Sequence, residues 1–205
     1  MCANFEAIKR NRAFLLDLPE PPFEFPDDIF PLYDAPILMH GADQPEWDVA
    51  KFGLIPFWAK ELKFGRHTYN ARTESVAEKP SFRHAWHKNQ FTLVPVETIF
   101  EPKYIDGKPH WYGISREDGM PFTIAAIYED AVINNKHVRS MSLLTINADH
   151  HPFMKQFHKP YDEKRSIIVI SEDKRMDWLN CNASEANQFF FEMKDEYVAK
   201  PKLRT

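Results

Sequence analysis

The sequence predicts a single α+β domain built on a mostly antiparallel, barrel-like β-sheet with flanking helices. Short runs rich in β-branched and aromatic residues recur along the chain, and most lie too close together for a helix between them. Residues 75–87 and the last third of the chain leave room for helices. We find no internal repeat and no shift in composition, so residues 1–205 are expected to fold as one domain.

The strand signal is carried by six runs. They are residues 36–39, 49–55, 91–96, 122–128, 141–146 and 166–170. Acidic residues at 172 and 173 favour a helix start ahead of Trp178. Asn182 and Glu185 have the spacing of a capping box. A second helix is therefore expected beyond them, with a core-facing stripe of Phe189, Phe190, Met193 and Tyr197.

Composition excludes several classes of function. The chain has six glycines, and their positions allow neither a G-x-G-x-x-G nor a G-x-x-x-x-G-K-[ST] phosphate loop. Its two cysteines, Cys2 and Cys181, form neither a C-x-x-C pair nor a disulfide framework, which indicates a reducing compartment. Charged residues interrupt the first twenty positions, and no later run approaches a membrane span. We expect a soluble cytoplasmic protein without a nucleotide cofactor.

The net charge of −4 is unevenly distributed. Residues 17–34 hold six acids, several prolines and no Lys or Arg, which predicts an extended surface segment. Residues 60–103 hold eight basic and five acidic residues. A basic face is therefore compatible with the acidic total, and we expect the acidic segment to lie away from Cys2 and from Arg72.

Cys2 is the first candidate for chemistry. Removal of Met1 would give an N-terminal cysteine, whose thiol and α-amine both keep a nucleophilic fraction near neutral pH. An amine condenses with an aldehyde to a Schiff base, and the neighbouring thiol then closes a five-membered thiazolidine ring. The alternative is an incidental residue at a frayed terminus.

Other candidates are weaker when taken singly. Glu101 ends a β-prone run beside aromatic residues, where desolvation would raise a carboxyl pKa for general acid work; a surface glutamate is the alternative. His150, His151 and His158 offer a proton shuttle or, with Asp149, a weakly supported metal site whose spacing matches no zinc template. No metal and no cofactor are expected.

Six features follow one another along the chain: Cys2 after Met, residues 52–58 (W-G-L-I-P-x-W with Phe first), 70–74 (N-A-R-x-E), 93–101 (similar to a segment ending F-Y-E-W), 122–127 (F-x-I-A-A-I) and His158 (the histidine of H-x-R-M-P). In combination and in this order, they resemble the SOS response-associated peptidase (SRAP) family, whose members shield abasic sites in single-stranded DNA. Three departures stand out: Ala3-Asn4 replaces Gly-Arg after the cysteine, Pro102 replaces Trp after Glu101, and a spacer separates His158 from Arg165.

The resemblance implies roles for particular residues. Cys2, freed of Met1 by self-directed peptidase activity, would trap the aldehyde of an abasic sugar as a thiazolidine crosslink. Asn70 would orient Cys2, Glu101 would exchange protons, and His158 would assist at the sugar oxygen. The phosphate contacts would come from Arg72, Lys79, Arg83 and Arg165, and the base-stacking faces from Phe57 and Trp58.

The implied partner is single-stranded DNA containing abasic sites, bound by a monomer that associates with the nucleoid at damaged DNA. Two alternatives stay open. One is a cysteine peptidase with Cys2 as nucleophile and His158 as base, supported by Asn70 or Glu101. The other is a single-stranded DNA-binding module without chemistry.

Overall fold

Twelve strands form one sheet in the computed structural model, which describes residues 2–191, 193 and 196–202. They are β1 (Phe5–Ala7), β2 (Asp28–Ile29), β3 (Asp34–Met39), β4 (Glu46–Phe52), β5 (Asn70–Arg72), β6 (Phe91–Ile105), β7 (Lys108–Arg116), β8 (Phe122–Ile133), β9 (Lys136–Asn147), β10 (Arg165–Ile167), β11 (Val169–Ile170) and β12 (Tyr197–Pro201). The helices are α1 (Arg83–His87), α2 (Arg175–Asn180) and 3-10 turns at Arg10–Leu16, Leu62–His67, Met154–Gln156, Glu172–Lys174 and Ala186–Phe189.

The predicted antiparallel character is confirmed: among the strands that the structure describes, the parallel pairings are those of β4 and β5 with β9. Strands β8, β9, β4, β3 and β6 pair in a closed circuit. Two joins of this circuit are short: β3 meets β6 at the single pair Leu38–Leu93, and β4 meets β9 at two pairs. The sheet is therefore not a clear barrel, and the barrel-like expectation is corrected in that respect.

Alternate residues of the central strands fill two cores, one on each face of the sheet. Ile37 and Val94 belong to the first core, and their chain neighbours Leu38 and Leu93 belong to the second. This division follows from the two-residue side-chain period of a strand. The second core is covered by α2, whose Trp178 is fully buried and donates from its indole Nε1 to the Thr92 carbonyl at 2.9 Å.

The predicted final helix is wrong. Asn182 and Glu185 form one half of the expected capping box: the Asn182 N–H donates to Glu185 Oε2 at 3.1 Å, while Asn182 Oδ1 accepts from the Ser184 N–H at 3.0 Å. However, the described residues that follow it form the 3-10 turn Ala186–Phe189, and Tyr197 begins β12, which pairs with β7 opposite Arg116. Pairing with an open strand edge satisfies the backbone there, in place of helical hydrogen bonds.

Across the described residues, the helices are all too short or too polar to cross a membrane.

Candidate active site

Strand pairing brings Cys2 to Glu101. Strand β1 runs antiparallel to β6 with Phe5 opposite Ile99, so the chain that precedes Phe5 follows β6 towards Glu101. The Phe100 N–H donates to the Asn4 carbonyl at 3.1 Å and continues this pairing. The Cys2 side chain is only 1% exposed and lies in the first core. Its Sγ donates a weak hydrogen bond to the Asn4 carbonyl at 3.4 Å.

Asn70 holds the same residue from the opposite side. It is the first residue of β5, which lies parallel to β9 with Asn70 opposite Leu143. Its Nδ2 donates to the Cys2 carbonyl at 2.8 Å. The Asn70 Oδ1 is buried and has no hydrogen-bond partner among the residues that the structure describes. A buried polar atom of this kind is costly unless a ligand or water satisfies it.

Glu101 and His158 form a buried pair beside Cys2. The distance between Glu101 Oε2 and His158 Nε2 is 3.0 Å, and the two residues are 2% and 7% exposed. His158 adopts a left-handed backbone with φ of 64°, and its N–H donates to the Pro102 carbonyl at 2.7 Å. This hydrogen bond fixes the His158 backbone against β6. In the described part of the chain, His158 Nδ1 is buried without a hydrogen-bond partner.

The thiol of Cys2 is kept protonated by its surroundings. Burial, followed by the negative charge of Glu101, raises the Cys2 pKa to about 12. The pKa of Tyr69 is also raised, first by burial and then by the charges of Cys2 and Glu101. Tyr69 is therefore a neighbour of the site that sequence reasoning did not assign; its position directly before Asn70 was the available signal.

The structure thus brings together all four residues proposed for chemistry. Among the proposed phosphate contacts, Arg72 lies two residues beyond Asn70 on β5 and is exposed. Its Nη1 pairs with Glu163 Oε2 at 2.7 Å. A pair this exposed contributes little to stability, so a phosphate can compete for the guanidinium.

Arg165 requires a correction. It is 2% exposed, and its two terminal nitrogens pair with Glu74 and Glu163 at 2.7–2.8 Å, while Nη2 also donates to the Thr145 carbonyl at 2.6 Å. Through these contacts, the Arg165 guanidinium links β10 to the segment that follows β5. The Arg165 guanidinium is therefore not open to a DNA phosphate, and the expectation that it contacts one is corrected.

The remaining proposed DNA contacts gather around α1. Phe57 and Trp58 are 52% and 46% exposed, and the Phe57 ring lies 4.5 Å from the ring of His84. Lys79 and Arg83 are exposed and are joined by a backbone hydrogen bond of 2.9 Å. Among the described residues, no hydrogen bond, ion pair or ring contact joins this group directly to Cys2. It is a separate aromatic and basic surface.

The acidic segment does not lie where we expected. Its β2 pairs with β1, and Asn4 Nδ2 donates to the Ile29 carbonyl at 3.1 Å. Lys202 Nζ bridges Asn4 Oδ1 and Asp28 Oδ1, each at 3.3 Å. The end of the segment is therefore close to the start of the chain. Among the described residues, Arg72 forms its ion pair with Glu163, which lies outside the acidic segment.

The histidines do not assemble a metal centre. His151 is buried, its Nδ1 accepts from the N–H groups of Phe153 and Met154, and its Nε2 lies 2.9 Å from the Met193 carbonyl. Within the described ranges, no group of three His, Cys, Asp or Glu residues is arranged to hold a metal ion. His151 instead stabilises the local turn.

The family model described as SOS response associated peptidase (SRAP) matches residues 1–202. The abasic site processing protein YoaM of Bacillus subtilis (strain 168) is 29% identical over 131 residues, 63% of this chain and 55% of that protein. The chain thus spans about half the length of the curated relatives it matches.

Solved structures share the fold over nearly the whole chain. A crystal structure of a protein from Bordetella bronchiseptica has a TM-score of 0.92 and 27% identity, covering 99% of this chain and 100% of that chain. A second, from Bacteroides thetaiotaomicron, has a TM-score of 0.74 and 19% identity, covering 98% and 91%.

Proposed function

The chain belongs to the SOS response associated peptidase family, and on that premise we propose that it processes abasic sites in single-stranded DNA by forming a covalent crosslink through Cys2. The relatives named abasic site processing proteins support the lesion as substrate. The observation that carries the proposal is the meeting of Cys2 with Asn70 and with the buried Glu101–His158 pair.

The proposed reaction balances without a cofactor. Hydrolysis of the Met1–Cys2 peptide bond frees the α-amine of Cys2; Met1 itself lies outside the described residues. The amine attacks the aldehyde carbon of the ring-opened sugar, and water leaves as the C=N bond forms. The thiol then adds across C=N: the S–C bond forms and the thiol proton passes to nitrogen, giving a thiazolidine.

The surroundings of Cys2 suit this sequence of steps. Asn70 holds the Cys2 carbonyl and so fixes the direction of the neighbouring amine. Glu101 opposes thiolate formation while it is charged, and this opposition is relieved when Glu101 accepts a proton. His158, whose Nε2 lies 3.0 Å from Glu101 Oε2, can pass that proton on or stabilise the sugar oxygen.

The alternative of a general cysteine peptidase fits less well. A thiolate nucleophile requires a lowered thiol pKa, whereas burial and Glu101 raise the Cys2 pKa to about 12. The pairing of His158 with Glu101 does not distinguish the two functions, because a carboxylate also orients the base in peptidase triads. On the thiol pKa alone, we restrict the proposed peptidase activity to removal of Met1, where the reacting groups are held together within one chain.

In this proposal, a monomer binds DNA in the cytoplasm, at the nucleoid. Arg72 holds a phosphate beside the lesion, while Lys79 and Arg83 hold phosphates further along the strand. Phe57 and Trp58 present open ring faces to flanking bases.

The proposal predicts that an aldehyde is essential. Protein mixed with an oligonucleotide containing a natural abasic site should give a heat-stable adduct on a denaturing gel. The same oligonucleotide with a tetrahydrofuran abasic analogue, which cannot open to an aldehyde, should give none. An equal adduct with both oligonucleotides would contradict the mechanism, and absence of an adduct with the natural lesion would contradict the proposed function.

A further inference from the structure

The hairpin of β6 and β7 extends the site beyond Glu101. The two strands pair from Ile99–Ile114 to Ile105–Lys108 and are joined by the two-residue turn Asp106-Gly107. Both turn residues have positive φ, 50° and 74°, as a type I′ turn requires. The register is therefore uninterrupted, and alternate residues define two faces.

One face begins at the active site. Glu101 and Lys103 point to the same side of β6 as Ile105, and the residues opposite them on β7 are Tyr112, His110 and Lys108. His158 lies beside β6: its N–H donates to the Pro102 carbonyl, and its backbone forms an isolated β-bridge with Lys103. We call the set Lys103, Ile105, Lys108 and His110 the hairpin face.

The hairpin face is basic and little used by the fold. Lys108 and His110 are exposed, and Lys103 Nζ interacts with two neutral groups, Gln156 Oε1 at 2.9 Å and the Tyr112 ring at 5.7 Å. In the described part of the chain, no carboxylate forms an ion pair with either lysine. Two cationic groups without a carboxylate partner suit a polyanion, because binding them breaks no salt bridge.

Resting on the proposed function, we infer that the hairpin face binds the phosphates of single-stranded DNA on one side of the lesion. Lys103 is one side-chain step, about 7 Å, from Glu101, and Lys108 is about 13 Å from it. A DNA strand that runs from the Glu101–His158 pair along this face would reach Lys103 first and Lys108 next. The positive charges of Lys103 and Lys108, and the continuity of this face with the active site, favour DNA as its occupant. The opposite face of the hairpin, which carries Trp111, is not expected to contact the DNA.

A matched pair of lysines tests the inference. Lys108 follows the turn Asp106-Gly107 opposite Ile105, and Lys136 follows the turn Asn134-Asn135 opposite Ile133 in the β8–β9 hairpin. Both are exposed first residues of a strand. Lys108→Gln should weaken binding to an unmodified single-stranded oligonucleotide about fivefold at low salt and reduce the salt slope by about 0.7. Lys136→Gln should change neither value.

Binding is measured by fluorescence anisotropy over a salt series, which does not depend on crosslinking. Equal affinities and slopes for Lys108→Gln, Lys136→Gln and the wild type would overturn the inference. A loss of affinity in Trp111→Ala but not in Lys108→Gln would also overturn it, because the strand would then follow the opposite face.

Crosslinking separates this inference from the proposed function. Lys108→Gln should slow adduct formation with a long abasic oligonucleotide at limiting concentration, yet match wild type on a short one with a single flanking nucleotide on each side. Equal loss on both substrates would overturn the hairpin inference alone. If wild type forms no adduct with either substrate, the proposed function fails, and the anisotropy series still decides whether the hairpin face binds DNA.

Discussion

Replacement of Cys2 by alanine is expected to abolish the covalent adduct completely, while binding to unmodified single-stranded DNA stays within about twofold of wild type, because Cys2 contributes no phosphate contact. The thiol supplies the second bond of the thiazolidine, and without it the amine of the variant, with or without Met1, can form only a Schiff base that hydrolyses. The measurement is adduct yield on a denaturing gel after heating. Circular dichroism should confirm folding, because the side chain is buried.

The second cysteine supplies the control for this experiment. Cys181 lies in the other core, is 8% exposed, and has a pKa raised to about 11 by burial and then by Glu185. Cys181→Ala should therefore crosslink like wild type. A heat-stable adduct in Cys2→Ala, or its loss in Cys181→Ala with the fold intact, would overturn the assignment of Cys2.

Glu101→Gln is expected to slow adduct formation by about 10²–10⁴-fold at saturating DNA, the usual contribution of a general acid or base. Glutamine keeps the shape of the side chain but exchanges no proton. Removal of the charge should also lower the Cys2 pKa below about 12, because Glu101 now disfavours the thiolate. Single-turnover crosslinking rates and a pH titration of thiolate absorbance measure the two effects.

A second Glu–His pair provides a control for Glu101. Glu129 is 2% exposed, and its Oε2 lies 2.7 Å from Nδ1 of His84, whose side chain is 39% exposed. Glu129→Gln makes the same chemical change in a Glu–His pair that does not contact Cys2, and it should leave the single-turnover rate unchanged. If both variants slow crosslinking equally, Glu101 acts through stability and the proton-transfer role is wrong.

Local patterns were sufficient to predict much of the sheet. All six predicted strand runs lie wholly or largely within strands, although residues 49–55 leave the sheet at Gly53, where φ is 116°. Short strands such as β1 and β5 were missed, since three residues are too few for a periodic signal. The predicted last helix failed because pairing of Tyr197 with β7 is a long-range contact.

The candidate site shows the same division between local and distant information. The order of motifs was sufficient to nominate Cys2, Asn70, Glu101 and His158, but not the contacts between them. Arg165 was misassigned because burial and pairing with Glu74 depend on how distant segments pack. The hairpin face was missed for a related reason, since it becomes visible only when the register places Lys108 and His110 on the Glu101 side.

The central claim is that Cys2 is joined to the abasic aldehyde through both its amine and its thiol. Intact mass spectrometry of the purified adduct tests it most directly. We predict a mass equal to the protein without Met1 plus the abasic oligonucleotide, less one water, with proteolysis placing the attachment on the peptide that begins at Cys2. An adduct that retains Met1, or that is attached at another residue, would contradict the account.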